Sequence, residues 1–178
     1  MTIADFDTSR FGSVTFWTGI LLVVVGFAGI VLPEAMSIGA ELFISSLMIF
    51  GAVLWGYHTY LYSRHNIIDW IKPAVLLLVA GLMIFYPLHG VAVMGMLLAV
   101  YLLMDSFGSF ALAQATHPMP GWGWMAFNGL VSLVLAFLFL FGWPETSLWL
   151  VGLYVSISLL FDGFALIFIG HTVRKALI

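Results

Sequence analysis

A chain of 178 residues that is 63% hydrophobic and only 7% charged cannot cover a water-soluble globule with polar side chains, and its mean hydropathy of +1.18 makes lipid its solvent. A formal charge of −3 with no run of Lys or Arg excludes a nucleic-acid surface and a strong anionic-lipid surface. The absence of cysteine excludes disulfides, thiolate catalysis and Cys-ligated metals.

Crossing a hydrocarbon core about 30 Å thick takes roughly 20 helical residues, and six segments of that order follow one another. The first, 14–32, comes after a single basic residue, Arg10; it shows no small-residue cleavage site and reads as a retained helix, not a signal peptide. Pro33-Glu34 turns the chain into a second segment at 37–61. A link flanked by Arg64 and Lys72 leads to a short third segment at 71–86, and Pro87-Leu88-His89 turns it into a fourth at 89–113. The fifth and sixth, 122–141 and 147–170, turn at Pro144-Glu145, and Arg174 and Lys175 follow. Stretches such as Ile20 to Leu32, Val75 to Tyr86 and Val131 to Phe141 are apolar all round, as lipid-facing helices are. All five basic residues fall on the side of the links and none on the side of the proline turns, so the positive-inside rule predicts that both termini are cytoplasmic.

Pro33, Pro87 and Pro144 stand 54 and 57 residues apart and divide a single transmembrane domain, 1–178, into hairpins at about 14–61, 71–113 and 122–170. Gly19 and Pro73 lie fourteen residues before their prolines and Gly129 lies fifteen before its own. Glu41, Gly95 and Gly152 lie eight residues after the prolines; Gly51, Asp105 and Asp162 lie eighteen after. Small residues at recurring places mark close helix approach. Three hairpins of like orientation predict an all-α bundle of six transmembrane helices around a pseudo-threefold axis along the membrane normal. Tryptophans 17, 55, 70, 122, 124, 143 and 149 sit toward segment ends, where interfacial belts account for them without a ligand.

The third hairpin reads Trp122-Gly123-Trp124, then Asn128-Gly129, an apolar run to Gly142-Trp143-Pro144, then Ser147 to Gly152, and finally Phe161-Asp162-Gly163. The first repeats the scheme with Phe16 to Gly19, Leu32-Pro33 and Gly51; the second carries Pro73 where a glycine is usual and Ser106 in the place of Gly163. In these residues the chain, over 14–170, resembles the HdeD family of small bacterial membrane proteins, built from the two-helix unit of the domain of unknown function numbered 308 (DUF308). The resemblance implies a multi-pass protein of the bacterial cytoplasmic (inner) membrane associated with acid resistance or general stress response. It implies no established catalytic residue.

Asp105 and Asp162 stand in segments where a charge costs at least about 2.5 kcal/mol at mid-bilayer. Helical spacing puts Tyr101 and Ser109 on the face of Asp105 and Ser158 on that of Asp162. One reading is a proton-titrating or solute-contacting pair. The other is a pair of structural clamps near the inner headgroups, which an advance of about 27 Å beyond the turn favours. Glu41 suits either a buried site or the positive end of its own helix, and Asn128 suits an interhelical hydrogen bond. The five histidines are scattered and show no metal or haem spacing; His89, at a proline turn, is the candidate sensor of external acid. Phosphate-binding glycine loops, His-Glu-x-x-His and Gly-x-Ser-x-Gly are absent from the sequence.

The expected protein is therefore non-enzymatic, with no cofactor or metal and no nucleic-acid partner. Its surroundings are membrane lipid, and its action is association with itself or another membrane protein. The alternative is a small solute or proton transporter using the intramembrane aspartates.

Overall fold

A computed structural model describes residues 3–175, with side chains from Phe11 to Val173. The chain forms six helices: α1 (Ile3–Val31), α2 (Pro33–Tyr62), α3 (Ile67–Phe85), α4 (Pro87–Thr116), α5 (Trp122–Phe141) and α6 (Ser147–Lys175). Each contains a span long and apolar enough to cross a membrane, beginning at Phe11 in α1 and ending at Val173 in α6. This is the make-up of a multi-pass membrane protein. Arg10, Arg174 and Lys175, on which the charge asymmetry partly rests, have side chains outside the described residues.

Helix ends depart from the expected ones for identifiable reasons. Pro33 and Pro87 do not sit in loops but open α2 and α4, since a residue whose N–H is missing fits the first turn, where that group has no helical acceptor. Only Leu32 and Tyr86 separate these helices from α1 and α3. Pro144 does lie in a turn, between α5 and α6, after a cis Trp143–Pro144 bond. Asn66 starts α3 four residues before the expected 71: its side chain accepts from the Ile68 amide at 3.2 Å and donates to Asp69 at 3.1 Å.

Two compact units emerge, one of Met1–Ser37 with Gly152–Ile178 and one of Ile38–Val151. In the first, α1 and α6 pack antiparallel through small residues spaced by seven. Gly12, Gly19 and Gly26 meet Gly170, Gly163 and Ser156 so closely that a methyl group at Gly19 would lie 2.7 Å from the Gly163 carbonyl oxygen. All six are buried. Approach of backbone to backbone at this range is open only to glycine, and it replaces the hydrophobic drive that is missing between helices already in lipid.

In the second unit α4 packs along α5 and only lightly on α3. The sevenfold spacing recurs as Ala92, Ala99, Ser106 and Ala113 on α4 against Gly129 and Ala136 on α5, all buried. On α2 the same stripe is Ser45, Ala52 and Thr59, and on α3 it is Pro73 and Ala80. Pro73 lies beside Gly56 inside α3, where it deprives the Asp69 carbonyl of its helical donor. Thr59 Oγ1 donates to that carbonyl at 3.4 Å, so a neighbouring helix supplies the missing bond.

The buried positions are thus mostly Ala, Gly and Ser, with Val91, Leu102, Phe139 and Val151 among them, while most Phe, Leu, Ile and Trp side chains point outward. Gly19, Gly95, Gly129 and Gly152 are close-approach positions as expected; Gly51 is not, for nothing lies within 4 Å of a carbon added there.

Candidate functional site

Two polar centres and one isolated carboxyl occupy the apolar helices. The first centre joins α4 to α5. Asp105 Oδ2 accepts from Ser132 Oγ at 2.6 Å and from Asn128 Nδ2 at 3.3 Å, and Asn128 Nδ2 also lies 3.0 Å from Ser109 Oγ. Asp105 and Ser109 are one turn apart, as are Asn128 and Ser132, so two i, i+4 pairs face each other across antiparallel helices. Asp105 and Asn128, separate candidates in the sequence, belong to one cluster. Ser132 escapes the sequence reading, although its spacing from Asn128 gives it away. Tyr101 is exposed, and the donors to Asp105 come from α5 instead.

Asp162 stands at the corresponding place in α6 but is exposed, and among the described residues it has neither a hydrogen-bond nor an ion-pair partner. Ser158, one turn earlier, is half-buried and supplies no bond to it. The apolar residues of α6 run on to Ile169, seven positions beyond Asp162, which leaves the carboxyl about 10 Å short of that end. Exposure of a carboxyl within a membrane-spanning segment is costly unless something else satisfies the group.

The second centre is Glu41 in α2, fully buried at 0% exposure. Ser45 Oγ donates to its Oε1 at 2.8 Å, while Oε2 has no partner. Its carboxyl lies against the first turn of α4, where a methyl group at Gly90 would sit 3.0 Å from Glu41 Oε1. That turn is the positive end of α4, a setting that favours negative charge. Of the two settings the sequence suggests, the buried one is realised, and the helix end it meets belongs to α4 and not to its own helix. Ser147 Oγ and Thr146 Oγ1, beyond the α5–α6 turn, are also buried without partners.

Glu41 occupies a position that glycine fills in the other repeats. Gly95 abuts Ser147, and Gly152 abuts the Pro33 carbonyl and lies 2.8 Å, by an added carbon, from Ser37 Oγ. Where Glu41 stands, the facing residue is Gly90 instead of a serine, so the long side chain is matched by the loss of one opposite.

His89 is exposed, stacked edge-on to Tyr86 at 5.9 Å, and lines two hollows: one with Leu82, Met83 and Val93, the other with Pro144, Glu145 and Leu148. Of the remaining histidines, His58 lies against Tyr62 and His117 against Trp122. No group of three His, Asp or Glu able to hold a metal occurs among the described residues.

No curated protein and no solved structure matches the chain. The model of a short repeat of unknown function (DUF308) matches it twice, over residues 17–85 and 74–141. The two matches begin 57 residues apart and end at Phe141, before the return helix of the third hairpin. Together they take in more than half of the sequence, and the chain belongs to the DUF308 short-repeat family.

Proposed function

We propose that this is a non-enzymatic protein of the bacterial cytoplasmic membrane, of the HdeD type, that contributes to acid or stress resistance by association within the bilayer. Both termini face the cytoplasm in this reading, and the three repeats surround a pseudo-threefold axis. Support for the repeat comes from the parallel contacts of Gly19 with Gly163 and of Gly129 with Ser106, each a glycine against a backbone carbonyl. Support for the orientation comes from Arg64, in the α2–α3 link, and Lys72, in the second turn of α3, both exposed.

The observation that carries association is Asp162. A carboxyl exposed on an apolar helix, with no partner among the described residues, calls for a donor from another molecule. In lipid nanodiscs the wild-type protein is expected to be oligomeric by light scattering, and Asp162→Leu to lose assembly. A wild-type protein that is monomeric at all lipid ratios and captures no membrane partner in cells would overturn the reading.

A second reading, proton or small-solute passage, is favoured by Glu41, whose buried Oε2 is unpaired, as are the buried hydroxyls of Thr146 and Ser147 in the same unit. Asp105 would be its second station, and exposed Asp162 no part of it. Dye-monitored proton flux into liposomes should then fall in Glu41→Gln and Asp105→Asn. Flux no greater than in empty liposomes removes this reading.

A further inference from the structure

We propose that two copies of this chain join in the membrane through Asp162 of one and Lys72 of the other. The inference rests on the association reading and names its partner and its contact.

It begins from the Asp105 cluster, which shows what this scaffold position requires. Eighteen residues after its proline, α4 carries an acid; at the facing position of α5, Asn128 supplies a donor, and Ser132, one turn on, a second. In α6 and α1 the corresponding residues are Asp162, Thr18 and Leu22: the acid is kept, Ser132 has become an alkyl chain, and Asp162 takes no bond among the described residues. In α2 and α3 they are Gly51, Lys72 and Leu76, so the donor has become a full cation and the acid has gone. One repeat therefore holds an acid to which its hydroxyl, Thr18, makes no bond, and another holds a donor without an acid.

The correspondence is geometric as well as sequential. Asn128 touches Ser109, which lies twenty-two residues after its proline; Lys72 Nζ lies 5.0 Å over the ring of Trp55, which also lies twenty-two residues after its proline. Lys72 thus stands at the depth where the cluster has its donor, within about a turn of helix, and its four-carbon stem can make up the difference. Gly51, at the place that Asp105 takes in α4, has nothing within 4 Å of an added carbon, which leaves room for a helix to approach. The approaching face is Phe161, Phe164 and Phe168, all exposed around Asp162. Opposite charges at corresponding places of the repeat, in a medium of low dielectric, attract strongly and set the register of the contact.

The chain has no cysteine, so Asp162→Cys and Lys72→Cys each place a single thiol. The two variants, mixed in liposomes and oxidised, are expected to give a disulfide-linked dimer several-fold above either variant alone. As a second measurement, Asp162→Lys should lower the oligomeric fraction in nanodiscs at least tenfold, and Lys72→Asp in the same chain should restore it. A wild-type oligomer without the mixed cross-link and without charge-swap rescue overturns this contact while leaving association intact. A monomeric wild type overturns both, and assembly found only with a different membrane protein overturns the choice of a second copy.

Discussion

Replacing Gly19 by alanine is expected to loosen the α1–α6 pair, because the added methyl group meets backbone and not a side chain that can swing away. It would lie 2.7 Å from both the Gly163 carbonyl oxygen and the Ile167 nitrogen. The reciprocal change, Gly163→Ala, brings its methyl to 2.8 Å from the Gly19 carbonyl oxygen. Restoring ordinary contact means separating the helices by about 0.5–1 Å, a gap that forfeits a quarter to a half of each dispersion contact along the stripe. Overpacking of this kind costs about 1–3 kcal/mol, against a gain of about 0.5–1 kcal/mol from removing a helical glycine. Gly81 and Gly108, with nothing within 4 Å, collect only the gain. Reversible unfolding in mixed micelles or bicelles should therefore rank Gly81→Ala and Gly108→Ala at or above wild type and Gly19→Ala and Gly163→Ala below it, with about 1–3 kcal/mol between the groups. Equal stability of all four variants would refute the packing argument.

Thr59→Val should cost about 1 kcal/mol by leaving the Asp69 carbonyl without a donor, and almost nothing in a Pro73→Ala background, where the helical N–H is restored; a double-mutant cycle of unfolding free energies reads the difference. Between Asp105→Ala and Ser132→Ala the same measurement should give a coupling of about 0.6–1.7 kcal/mol, the range for hydrogen bonds between membrane helices, and additivity would deny the bond. Glu41→Gln, which keeps the acceptor for Ser45, should leave stability unchanged or raised, since an ionisable group in a buried site is replaced by a neutral amide of the same shape; a marked loss of stability would show that Oε2 is satisfied by a donor that the amide nitrogen repels.

The six helices were legible because each is a long, predominantly apolar segment, and an error of a few residues at the ends does not alter a count of spans. The ends were less so, since Asn66 acts through its side chain and Pro33 and Pro87 through a missing N–H, and both devices resemble turn signals. Which helices pack lengthwise was not legible from the hairpin spacing: α4 packs along α5 and only lightly on α3. Tight turns require only that two helix ends be close. What decides lengthwise contact is where small residues recur every seventh position, and Ala92, Ala99, Ser106 and Ala113 do so in plain sight.

The polar residues were legible as positions and not as environments, for a reason that bears on how this protein works. Asp105 and Asp162 are indistinguishable by their place after a proline, but one is clamped and the other exposed, and the difference lies on another helix, where Leu22 replaces Ser132. Glu41 likewise depends on Gly90, which lies far off in sequence and makes way for it. A scaffold of repeated small-residue contacts tolerates such exchanges because the stripe that holds the helices together does not pass through them. Glu41 and Lys72 break the repeat, Asp162 keeps its acid without the bonds that Asp105 receives, and none of the three has a complete partner of its own kind among the described residues. If the repeats only built a bundle, apolar residues would serve at all three positions at lower cost, as they do at Leu22 and Leu76. In the proposed reading these titratable side chains are where another molecule meets the protein, and Asp162 and Lys72, which are exposed, are the two that it can reach.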